Sequence, residues 1–174
     1  GVLERRRGKG TFVATPKSLY SADDRIGFTR SCMISGKVPM TKLISLEVQF
    51  PTEKIARFLE QSEQDEVICS RRLRYVDGNP AMLETNYYPM SYKFLFEENL
   101  NNSLFDILAR HNIVVADGLR TIEICEPTLE EMHILNMKSR RSLLLFKDRQ
   151  LDEKRRPLFF SKQLYCTDRM KFYL

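Results

Sequence analysis

From Arg71 to Pro89 the chain can hardly be anything but a β-hairpin. Val, Leu, Tyr and Thr fill two arms, and Asp77-Gly78-Asn79-Pro80 between them carries turn chemistry. Side chains on a strand alternate between faces, so Arg72 and Arg74 share one face, roughly 7 Å apart by two steps of strand rise. Two guanidiniums so placed can grip one anion. With a three-residue loop over Asp77 to Asn79, Val76 faces Pro80, Arg74 faces Met82 and Arg72 faces Glu84, which sets a carboxylate beside the arginines. A two-residue loop would carry Glu84 to the other face instead, because a slip of one residue inverts every side chain. The competing reading is that these are ordinary solvent-face charges, with Arg72 and Glu84 a cross-strand pair contributing well under about 1 kcal/mol.

The chain has 174 residues, of which 43% are apolar, enough for one domain with a real core. It holds no apolar run near 18 residues and no secretory signal, which points to a soluble, cytoplasmic protein with no membrane partner. Cys32, Cys69, Cys125 and Cys166 are separated by 37, 56 and 41 residues, and His111 and His133 are the other soft ligands. Such spacing speaks against a metal site; lone cysteines in strand-like runs read as small buried hydrophobes. The expectation is no metal, no cofactor and no catalytic residue. Arg5, Arg6, Arg7, Lys9 and Lys17 against Glu4 place +4 of the net +5 within residues 1–17, so any nucleic-acid affinity belongs there.

Further elements follow from spacing. Arg25 to Ser31 reads as the start of a helix or a turn, with free N–H groups and two hydroxyls. Lys42 to Phe50 alternates as a strand, and Pro51-Thr52 opens a short helix with Ile55, Phe58 and Leu59 inward. Ser103 caps a helix carrying Leu104, Ile107 and Leu108, and Asn112 to Glu126 reads as a strand broken near Asp117-Gly118. Thr128 to Glu131 is a capping box, with Leu129, Met132 and Leu135 inward and His133 outward. Strands over Ser142 to Leu151 and Leu158 to Thr167 close the chain. The fold class is α+β, a mainly antiparallel sheet with interspersed helices.

Residues 1–14 form two short apolar runs around a basic, glycine-bearing tip, in which Gly8 and Gly10 allow close backbone approach to phosphates. The order Gly1-Val2-Leu3-x-Arg5-x-x-Gly8-x-Gly10-Thr11-Phe12-Val13 resembles the wing of the winged helix-turn-helix domain of GntR-family transcription regulators. That resemblance implies a remnant wing at 1–14, with Arg5, Arg7, Lys9, Gly10 and Thr11 at DNA, and a linker at 15–24.

Four local runs extend the resemblance: Gly27-Phe28-Thr29, Arg72 to Pro80, Leu83-Glu84-Thr85 with the following Tyr88-Pro89, and Asp168 to Phe172. With them, residues 25–174 resemble the UTRA effector-binding domain of the HutC-type subfamily, which has a chorismate lyase-like fold. The resemblance implies a non-enzymatic domain that binds a small anionic, phosphorylated sugar-like metabolite within a homodimer controlling operator DNA. Among its residues, Thr29, Arg72 and Arg74 would hold phosphate, Glu84 would contact sugar, and Phe28 and Tyr165 would line the pocket. Phe159 stands where such sugar binders commonly carry Glu, and either stacks on a ring or faces a less polar ligand. The alternative is an enzyme of the same fold acting on a carboxylated ring, since paired arginines suit carboxylates as well.

Overall fold

The computed structural model describes residues 3–6, 10–13, 18–21 and 27–173. In chain order these form β1 (Leu3–Arg6), β2 (Gly10–Val13), β3 (Ser18–Ser21), α1 (Phe28–Ile34), β4 (Pro39–Gln49), α2 (Glu53–Leu59), β5 (Val67–Val76) and β6 (Asn79–Pro89). A 3-10 segment (Met90–Phe96), α3 (Leu104–Arg110), β7 (Asp117–Cys125), α4 (Leu129–Ile134), β8 (Leu143–Leu151), β9 (Pro157–Cys166) and β10 (Met170–Tyr173) follow.

The hairpin β5–β6 is present, but its loop differs from the three-residue one expected. Asp77 and Gly78 have φ of 49° and 78°, so both central residues are left-handed and Val76 pairs with Asn79 across a two-residue turn. Gly78 is suited to that position because it has no Cβ to strain there. The inversion that such a turn should impose is undone one step later. Tyr75 pairs with Pro80 and Arg74 with Met82, leaving Ala81 as the extra residue of a β-bulge. Arg72 therefore still faces Glu84. The Asp77 carboxylate accepts from the Val38 N–H at 3.0 Å and from Lys37 Nζ at 2.8 Å, tying the turn to the start of β4.

Around this hairpin a six-stranded sheet runs in the order β4-β5-β6-β9-β8-β7, with every neighbouring pair antiparallel. The α+β expectation holds. Alternation divides the sheet into two unlike faces. One is apolar: Leu73, Leu83, Leu145 and Leu164 pack with Leu135 at the end of α4, and Val67 and Phe160 pack with Ile55, Phe58 and Leu59 of α2. The other presents Arg72, Arg74, Glu84, Asn86, Ser161, Asp148 and Gln150, all buried. The solvent-face reading of the arginines is thereby overturned, since Arg72 and Arg74 are only 1% and 3% exposed.

Local signals account for the caps. Ser103 Oγ accepts from Asp106 N–H, and Thr128 with Glu131 forms the reciprocal capping box. Two expectations need correction. The strand after α3 begins only at Asp117, and Leu129, expected inward, is 84% exposed. Six residues of α4 make under two turns, and Leu135, fully buried just past its end, anchors it with Ile134 and Met137 packed against the same cluster. Arg169 secures the same corner, donating to the carbonyls of Pro80, Leu135 and Asn136.

At the N-terminus β1 and β2 pair antiparallel, with Arg5 opposite Thr11 and Arg6 opposite Gly10. The tip residues Arg7 and Lys9 lie outside the described residues. Within the stretch expected as a linker, β3 pairs in parallel with β10, Leu19 opposite Lys171 and Tyr20 opposite Phe172.

Candidate functional site

Register builds the site. Arg72, Glu84 and Gln163 stand opposite one another on β5, β6 and β9, and the next row runs Asn86, Ser161, Asp148, Arg120 across β6, β9, β8 and β7. These polar rows lie between two apolar clusters on the same face. Tyr88, Leu104, Ile107, Leu108 and Phe159 belong to one, and Cys32, Met82, Phe146, Tyr165 and Met170 to the other. Roofed by Gly27, Phe28 and Ser31 of the α1 region, Leu104 and Phe105 of α3, and Phe172 of β10, the rows floor a cavity. It holds about 600 Å³ of non-atom space, part of it open to solvent. Gly27 permits the close roof: its φ is 71°, and a Cβ there would meet Phe105 Cδ2 at 2.9 Å.

Three guanidiniums enter this cavity in different states. Arg120 forks onto Asp148, Nε to Oδ1 and Nη2 to Oδ2 both at 2.6 Å, and its plane lies 5.1 Å from the Phe146 ring centroid. Arg72 pairs through Nη2 with Glu84 Oε2, and its Nη1 reaches the Leu100 and Asn102 carbonyls at 3.5 Å. Arg74 donates Nη1 to Thr41 Oγ1 at 2.9 Å and sits 4.9 Å over the Phe28 ring. It forms no ion pair among the described residues, and its Nε, like that of Arg72, has no hydrogen-bond partner there.

The electrostatics follow. Burial pushes the Glu84 carboxyl up, but the Arg72 and Arg74 guanidiniums, with hydrogen bonds from Arg72 and Asn86, hold it below the ordinary carboxylate value. Burial pushes Arg74 down to about 10, against the pull of Glu84, so it remains cationic at neutral pH. Burial raises Tyr165, which stays a neutral phenol and donates to Gln163 Oε1 at 2.7 Å. Gln163 in turn donates Nε2 to Asp148 Oδ2 at 2.9 Å and to Ser161 Oγ at 3.1 Å. With Arg72 answered by Glu84 and Arg120 by Asp148, the charge of Arg74 is left over. The lining of the cavity thus sets three guanidiniums against two carboxylates. Cys32 sits in the second apolar cluster, and burial raises the Cys69 and Cys166 thiols to about 11, away from thiolate chemistry. Among the described residues no three His, Cys, Asp or Glu side chains are grouped to hold a metal, and no helix is long and apolar enough to cross a membrane.

Of the residues singled out from the sequence, Phe28, Arg72, Arg74, Glu84, Phe159 and Tyr165 line this one cavity; Thr29, on α1, does not. Phe159 is 2% exposed with its ring 5.2 Å from that of Tyr88, a core contact as much as a lining one. Sequence reasoning missed Arg120, Asp148, Gln150, Ser161 and Gln163. The available signal was polarity at alternate positions of neighbouring strands, 148 and 150 on β8 and 161 and 163 on β9, sharing a face with Phe146 and Phe159.

The sequence profile of the UTRA domain matches residues 35–171. The chain belongs to the UTRA domain family. It is 26% identical over 174 residues to the HTH-type transcriptional repressor NagR of Bacillus subtilis, covering 99% of this chain and 72% of that protein. To the HTH-type transcriptional regulator GmuR of the same organism it is 30% identical over 147 residues, 77% of this chain and 59% of GmuR, so it spans less than two thirds of that relative. The crystal structure of PhnF from Mycobacterium smegmatis superimposes with a TM-score of 0.87 at 25% identity, covering 99% of this chain and 76% of PhnF. The UTRA chain is accordingly an effector-binding domain of the GntR type of transcription regulator, and its relatives are regulators rather than enzymes.

Proposed function

We propose that the UTRA cavity binds a small anionic metabolite, phosphorylated and sugar-like, and that its occupancy sets the operator affinity of the regulator to which the domain belongs. The observation that carries this reading is Arg74: a buried guanidinium beside Arg72, lining a cavity, with no ion pair of its own among the described residues. Phosphate suits it, because charge-assisted donors converging on one anion are among the strongest hydrogen bonds a protein makes. In this reading Arg74, with Arg72 behind it, holds the phosphate, Glu84 and Tyr165 face the body of the ligand, and Phe28 and Phe159 pack on it. Thr29, expected at the phosphate, stands outside this lining and has no part in the reading.

Residues 1–14 would be the wing of a DNA-binding head, with Arg5, Arg7, Lys9, Gly10 and Thr11 at the minor groove, residues 15–24 the linker, and 25–174 the effector domain. The regulator would act as a cytoplasmic homodimer, because paired heads match two operator half-sites. Whichever arrangement of heads the occupied cavity favours, effector shifts operator affinity by its differential affinity for the two states.

A thermal-shift screen of inorganic phosphate, sugar phosphates, free sugars and carboxylates tests the reading. Stabilisation by phosphates that disappears in Arg74→Ala is the expected result. Stabilisation by carboxylates or free sugars alone would refute it.

A further inference from the structure

Gln150 is 3% exposed, lines the cavity, and its Oε1 finds no hydrogen-bond partner among the described residues. It lies opposite Phe159 across β8 and β9, whose ring is occupied by Tyr88, so the amide is the polar group of that row. Ser31 Oγ on the roof is in the same condition, 7% exposed, lining the cavity and unpartnered. A buried polar group that folding leaves unsatisfied is costly, and one facing a cavity is a group awaiting a ligand atom. The other charges of this region are spoken for: Asp148 holds Arg120 and Gln163, and Gln163 holds Tyr165. What these pairings leave for the body of a ligand is neutral: the Gln150 amide on the floor, which both accepts and donates, and the Ser31 hydroxyl on the roof, which does the same.

We propose that Gln150 on the floor and Ser31 on the roof each read hydroxyl groups of the ligand, so that the effector is a polyhydroxylated phosphate rather than a phosphate on an apolar tail. The inference rests on the anion reading above and extends it from the charged end of the ligand to its body. Hydroxyl groups match because each can give to and take from the amide. An alkyl chain would leave Gln150 Oε1 and Ser31 Oγ buried and unpaired, the situation in which polar sites discriminate most strongly against an analogue.

Calorimetric titration of the chain with inorganic phosphate, hexyl phosphate and a set of pentose, hexose, hexosamine and hexitol phosphates provides the test. At least one polyhydroxylated phosphate should bind about 10-fold or more tightly than hexyl phosphate, on the scale of one to two lost hydrogen bonds. Gln150→Leu, close in volume, should bring the two within about 3-fold, with hexyl phosphate gaining because its tail no longer buries an unpaired amide, while leaving inorganic phosphate unchanged. Gln150→Glu, which keeps an acceptor, should retain a preference for the hexosamine phosphate. Because the readout is a ratio within each folded variant, altered stability does not mimic it. Hexyl phosphate binding as tightly as every hydroxylated phosphate, or a preference untouched in Gln150→Leu, would overturn the hydroxyl reading while leaving the anion reading standing. Failure of all phosphates to bind the wild-type chain would overturn both.

Discussion

Arg72 and Arg74 stand on the same strand, line the same cavity and are almost equally buried. Arg72 lies within an ion pair with Glu84 and reaches two backbone carbonyls. Arg74 has a threonine hydroxyl, an aromatic face and, among the described residues, no ion pair. The difference separates two roles that a sequence reading merges. Arg72 is held in the fold, and its removal would take the ion-pair partner from a buried carboxylate; Arg74 keeps a desolvated charge that is drawn on by Glu84 but has no ion-pair partner of its own among the described residues. Proteins keep such a group when a ligand supplies the compensation.

Breaking Arg72 should therefore produce the largest effect, and on stability. Arg72→Ala leaves Glu84 as an unpaired buried charge and should cost about 3–5 kcal/mol in a denaturant titration. Arg74→Ala should act on affinity instead. Losing one charge-assisted contact of roughly 1.5–3 kcal/mol weakens phosphate-bearing effectors about 10- to 150-fold in calorimetry. Its melting temperature should change far less than that of Arg72→Ala, since the buried charge deleted with it has no ion-pair partner among the described residues.

Glu84 sharpens the contrast through pH. Its carboxyl is depressed in the folded state, so it contributes stability that is present above its unfolded value, about 4.3, and is lost as pH falls through the lower folded value. Melts of Glu84→Gln should show a shallower loss as pH falls below about 4 than the wild type, on a lower plateau at neutral pH. Smallest of all should be Arg71→Ala. Arg71 points to the opposite side of the same strand, 2.7 Å from the exposed Glu130, and its loss should cost less than about 1 kcal/mol.

Much of this was legible from residue order because the governing rules are local. The two strands of the hairpin, the Ser103 cap and the Thr128–Glu131 box follow from turn chemistry and from hydroxyls and carboxylates at fixed spacing. The shared face of Arg72 and Arg74 follows from alternation alone. Opposition of Arg72 to Glu84 was also expected, but on a different loop, and the Ala81 bulge that restores it has no strong local signature. Asp148 and Gln150 were missed for a tertiary reason. Charged and amide residues near a strand's end ordinarily face water, and α1, α3 and β10, which cover these, arrive from distant parts of the chain. The parallel pairing of β3 with β10 is likewise invisible to short-range periodicity, since its partners lie some 150 residues apart.

The division of labour between the two arginines is tested most directly by titrating inorganic phosphate, and then a hexose phosphate, into wild type, Arg74→Ala and Glu84→Gln by calorimetry. The structure predicts affinity for both ligands lost about 10-fold or more in Arg74→Ala, and affinity for inorganic phosphate kept or increased in Glu84→Gln, where a competing carboxylate has been neutralised. Equal affinity in wild type and Arg74→Ala, or phosphate binding that depends on Glu84 and not on Arg74, would contradict it.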